Sequence, residues 1–163
     1  MDFMAKQILK DVALEEIPPR AAPDSPGNPM DHWSLPILLE RGAYLKKLAK
    51  YGDGSASETL REYSQHTAML SFRGRDSEAE VHQNHANLFC VLAGSATLVT
   101  GGIVMRARAV APGETCGDSI EGGMRQELKA GDIAHVPAAV PHQMLVAGEK
   151  TVTCFVMKIK EAE

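Results

Sequence analysis

The stretch Gly131-Asp132-Ile133-Ala134-His135-Val136-Pro137-Ala138-Ala139-Val140-Pro141-His142 decides the fold. Gly131 and Asp132 make a turn into a strand, Pro137 closes that strand, and Pro141 sets a corner from which His142 starts the next one. Such a corner points an imidazole inward. From Glu58 onward the chain has the same texture throughout, short β-like runs divided by Gly, Pro, Asn and Asp, as in sandwiches and barrels. Expected strands are 60–63, 66–72, 78–82, 88–92, 96–100, 103–108, 126–128, 133–136, 142–146 and 152–159. Gly101-Gly102 suits a tight hairpin turn, and Ala109 to Arg125 reads as a long loop.

The region before the strands differs. Residues Ile17 to Pro36 hold six of the nine prolines, which remove backbone donors and predict an extended arm. Ser34 can cap a helix from about Leu35 to Tyr51, with Leu35, Leu38, Leu39, Leu45, Leu48 and Ala49 at helical spacing and Gly52 or Gly54 at its end. The expected organisation is an arm and amphipathic helix over 1–57 and a single all-β barrel over 58–160.

Bulk properties exclude several classes. The chain has 163 residues, 44% hydrophobic and 23% charged, and a formal charge of -4 with Lys and Arg scattered. It therefore offers no attraction for phosphate backbones, and nucleic acid is not an expected partner. No run is long and apolar enough to span a bilayer. Charged residues interrupt the first sixteen positions, so no signal peptide is read there and cytoplasmic residence is expected. The three cysteines, Cys90, Cys116 and Cys154, have no CxxC spacing and suggest neither a disulfide framework nor a cysteine zinc site.

The second informative stretch runs from Glu80-Val81-His82-Gln83-Asn84-His85-Ala86-Asn87 to Gly94. Glu80 and His82 are two apart on a strand and share a face, and the chain returning after a turn brings Asn87 beside them. With His142 from a distant strand, four polar groups converge. Imidazole nitrogens with a carboxylate suit zinc, nickel, iron or manganese, and an incomplete ligand set leaves room for water or substrate. Glu80, His82 and His142 would make a two-histidine, one-carboxylate set, and His85 in place of Glu80 would make a three-histidine set. Without an ion, His82, Glu80 and Asn87 would form a hydrogen-bonded polar pocket. Gln143, Glu121 and Arg125 are candidates for contacting an organic ligand. His66 and His135 read as structural.

The segment from Gly131 to His142 resembles the second signature motif of the cupin superfamily, Gly, five residues, Pro, four residues, His. Val146 stands where that motif has Asn. Counting back from Gly94, the first motif (His, one residue, His, three or four residues, Glu, six residues, Gly) falls on Glu80, His82 and Asn87, so two of its ligand positions are substituted. The resemblance covers about Gln65 to Lys158. It implies a double-stranded β-helix (a jelly-roll barrel), a divalent metal ion, a small-molecule ligand and a homodimer. It implies no particular reaction: cupins include oxygenases, isomerases and lyases. The two functions expected are a metal-dependent enzyme acting on a small oxygenated molecule and a non-catalytic module that binds or senses a small molecule in the same pocket.

Overall fold

The computed structural model describes residues 30–161; the expected arm up to residue 29 lies outside them. One helix, α1 (Leu35–Ala49), precedes twelve strands. These are β1 (Ser55–Glu62), β2 (His66–Arg73), β3 (Ala79–His82), β4 (His85–Thr100), β5 (Ile103–Met105), β6 (Arg108–Ala111), β7 (Glu114–Gly117), β8 (Ser119–Glu121), β9 (Met124–Lys129), β10 (Ile133–Val136), β11 (His142–Leu145) and β12 (Val152–Lys160).

The runs expected as separate strands at 88–92 and 96–100 are one strand of 16 residues, and it organises the molecule. Its first half lies in a sheet ordered β1-β2-β12-β4-β10, and its second half in a sheet ordered β9-β4-β11-β3-β7-β6. The change of sheet falls at Gly94, where φ is +76° and an added Cβ would run into the Thr151 carbonyl. Only glycine fits that bend. Between the sheets lies an apolar cluster built from Val91, Cys154 and Val156 of the first and Leu98, Leu128 and Met144 of the second.

The expected loop from Ala109 to Arg125 is mostly strand: β7 pairs with β3 and β6, and β8 pairs with β5. Its glycines sit at the turns, Gly113, Gly122 and Gly123 all having positive φ, so they punctuate the strands without abolishing them. Gly101 and Gly102 also have positive φ, yet they form no hairpin between their neighbours. β4 pairs with β9 there, and β5 with β8.

Helix α1 covers the outer face of the first sheet. Leu38, Leu45 and Ala49 pack on Ala68, Leu70 and Phe72, whereas Leu35 and Leu39 face solvent. Two further residues of the buried face do not show in the apolar pattern. Arg41 is buried because it forms a two-pronged ion pair with Glu58 of β1. Gly42 brings the helix backbone close to Thr153, whose Cγ2 would stand 2.8 Å from an added Cβ. Ser34 occupies the N-cap position without a side-chain cap, and the Gly54 N–H closes the far end on the Ala49 carbonyl at 3.1 Å. β1 starts at Ser55, three residues before the boundary expected for the barrel.

Candidate metal centre

The strand register assembles the site. Glu80 and His82 share one face of β3. His142 lies directly across from Glu80 on β11, and Glu114 directly across from His82 on β7. Opposed residues on neighbouring strands project to the same side, so the second sheet presents all four toward the first. From the first sheet come Asn87 of β4 and, opposite it on β12, Lys158. The corner between Pro137 and Pro141 is tied down by the Ala139 N–H, which donates to the His82 carbonyl at 2.8 Å.

Each imidazole has one nitrogen committed outward. His142 Nδ1 donates to the Val140 carbonyl at 3.1 Å, and His82 Nδ1 donates to the Glu114 carboxylate. These bonds fix the tautomers and leave each Nε2 with its lone pair, 3.9 Å from the same Glu80 oxygen, Oε2. The ring centroids are 5.2 Å apart. The donor atoms of Glu80, His82 and His142 all lie within 4.8 Å of one another. Donors sharing an ion at about 2.1 Å stand roughly 3 to 3.5 Å apart, so modest side-chain rotation would close the set. Asn87 Nδ2 donates to His142 Nε2 at 3.2 Å, and a turn of that amide would offer its oxygen instead.

Electrostatics favour the neutral, ligating form of His142. Burial holds its pKa below the ordinary value, with the His82 and Lys158 charges adding, against opposition from the Val140 carbonyl and Glu80. Burial raises the Glu114 carboxyl, but its bonds to His82 and to Lys158, whose Nζ lies 2.9 Å from Oε1, outweigh that and keep it below the usual range. Glu114 is not among the residues that the sequence singles out. It lies within the stretch that reads as a loop, and only the β3–β7 register brings it to His82.

Other expected residues fall elsewhere. His85 is half exposed on the far side of Glu114, its Nδ1 4.0 Å from Oε1, and does not join the Glu80, His82 and His142 group. Gln143 follows His142 on β11 and therefore faces the opposite way, where its amide donates to the Ser77 and Asp118 carbonyls at 2.8 and 3.3 Å. There it lines an outer groove together with Arg125. Glu121 is exposed on β8 opposite Ile103 and lines neither that groove nor the cavity beside the imidazoles. His135 is exposed on β10, and His66 stacks on Tyr63 at 4.3 Å.

A cavity of about 250 Å³ opens from the polar cluster along the inner face of the first sheet. Glu80, His82, Asn87 and Lys158 line it, with Met69, Phe89 and Val156 as its apolar walls and Ser57, Ser71 and Arg73 beyond them.

The sequence matches no family model and no curated protein. Solved structures do match. A cupin superfamily protein from Desulfitobacterium hafniense DCB-2 is similar at 14% identity and TM-score 0.47, over 66% of this chain and 78% of that one. The protein TT1209 from Thermus thermophilus aligns at 17% identity and TM-score 0.51, over 72% of this chain and 95% of that one. The fold is a double-stranded β-helix, as the resemblance to the cupins implies. The DMSP lyase DddQ from Ruegeria pomeroyi DSS-3 shares it at 18% identity and TM-score 0.50, over 71% of this chain and 51% of the lyase. In cupin terms, the two first-motif positions substituted here are Glu80, which supplies a carboxylate, and Asn87, which supplies a neutral amide to the same cluster. Among the described residues no helix is long and apolar enough to cross a membrane.

Proposed function

We propose that this cupin is a metal-dependent enzyme acting on a small oxygenated organic molecule, with a divalent ion of the zinc, nickel, iron or manganese kind held by Glu80, His82 and His142. The observation that carries this reading is the orientation of the two imidazoles. Both Nδ1 protons are held by fixed acceptors, so each Nε2 keeps its lone pair, and both stand 3.9 Å from one carboxylate oxygen of Glu80. Metal-ligating histidines are supported in this way.

An ion bound there would polarise a carbonyl or acidify a bound water. The chain's own residues do the rest. Glu114 orients the His82 ring and stabilises its ligating tautomer, while Lys158 anchors Glu114. Met69, Phe89 and Val156 exclude water from the middle of the cavity and accept the carbon skeleton of the bound molecule. Asn87 adds a neutral group that can donate to or accept from an oxygen at the centre.

One observation favours a non-catalytic binding module instead. Asn87 already satisfies His142 Nε2 without an ion, and no buried polar side-chain atom among the described residues lacks a partner. Elemental analysis separates the readings. Protein incubated with zinc, nickel, iron or manganese and then desalted should retain about one ion per chain, and the His82→Ala, His142→Ala double variant should retain none. Absence of metal from the parent chain would overturn the enzyme reading.

A further inference from the structure

The cavity carries a cation with no ion-pair partner among the described residues. Arg73, at the end of β2, lines it half-buried, and among the described residues no carboxylate pairs with it. Lys158, the other cation of the cavity, is committed to Glu114. The register shows how the two ends are separated. Thr67 of β2 lies opposite Lys158, and Arg73 is six residues further along the same strand. At about 3.3 Å per residue the backbone span is roughly 20 Å, and both long side chains line the one cavity between them.

Charge gives the second argument. The carboxylates of Glu80 and Glu114 balance Arg73 and Lys158, so a divalent ion leaves the cavity with an excess of two positive charges. Water is a poor remedy in a partly closed, partly apolar space. An anionic ligand restores neutrality, and a guanidinium is the side chain best shaped to grip a carboxylate with two parallel bonds.

We infer that the ligand is a small aliphatic acid whose oxygenated head lies at the Glu80, His82 and His142 cluster and whose distal carboxylate pairs with Arg73. The wall of Met69, Phe89 and Val156 between those ends takes a short hydrocarbon segment. At about 250 Å³ the cavity lies below the usual range for drug-sized ligands, which fits a compact diacid or oxo-acid. This inference rests on the metal reading for the head group and on Arg73 alone for the tail.

The test is calorimetric titration of the full chain, metal-loaded and metal-depleted, with malonate, succinate, glutarate, adipate and their dimethyl esters. One chain length should bind best, and its ester should bind at least about tenfold more weakly. Arg73→Gln should weaken the diacid by about 10- to 100-fold, the worth of a charged hydrogen-bonded contact, with metal content unchanged. Arg73→Lys should fall between, and should the Gln variant fail to fold, the Lys variant read against the esters decides. Equal binding of acid and ester, equal binding by both Arg73 variants and the parent, or no binding of any diacid would each overturn the inference. Arg73-dependent binding by a parent chain that retains no added metal would uphold the Arg73 contact and overturn the metal reading.

Discussion

His82 and Glu114 face each other across β3 and β7, and the carboxylate holds the Nδ1 proton of the imidazole. Because Glu114 also binds Lys158 of the opposite sheet, the ring is oriented by groups from both halves of the barrel. Replacing Glu114 by Gln should leave the fold intact and weaken metal affinity by about 10- to 100-fold. Competition against a chelator of known affinity measures this. Unchanged affinity would mean that the carboxylate does not position the ring.

Stability of the metal-free protein should depend on pH through His142. Its folded pKa is below the ordinary 6.5 chiefly through burial, so below that value the unfolded chain takes up a proton that the native one resists. Stability should therefore fall as pH drops from about 7.5 to 5.5, and the dependence should be flatter in His142→Asn. Urea midpoints at the two pH values check it, and identical slopes for parent and variant would refute it.

Gly42→Ala should cost about 1 to 2 kcal/mol net, because the new methyl meets Thr153 Cγ2, so that the helix or that side chain must shift, against the gain of about 1 kcal/mol from alanine's helix preference. Thr153→Ser removes that methyl and should recover part of the loss. A double-mutant cycle by urea denaturation reads the coupling, and additive effects would show that the contact is not the cause.

Cys154 should resist alkylation in the folded protein. It is 2% exposed, and burial pushes its thiol up to about 12. Iodoacetamide at pH 8 should modify it only after denaturation, as peptide mass mapping would reveal. Rapid modification of the native chain would mean that the apolar cluster opens readily.

Much of this arrangement is legible in the sequence wherever it depends on neighbours. The glycine and proline corners around His142 are local chemistry, and the two-residue period puts Glu80 and His82 on one face. The same alternation separates Gln143 from His142, since adjacent strand residues point to opposite sides. Glu114 is hidden because its position depends on register between strands that no local pattern records. Arg41 is hidden for a related reason: a charged residue is expected outside until a partner such as Glu58, seventeen positions away, is known. Glycines in the stretch from Ala109 to Arg125 suggest a loop, although they only mark the turns between short strands.

β4 belongs to both sheets, with its bend at Gly94 between the half that carries Asn87 and the half that pairs with the strand of His142. A single continuous backbone thus sets the gap between the jaws of the pocket. Loosening that bend would widen the gap before either jaw lost its own hydrogen bonds, so grip on a ligand should fail earlier than the architecture does.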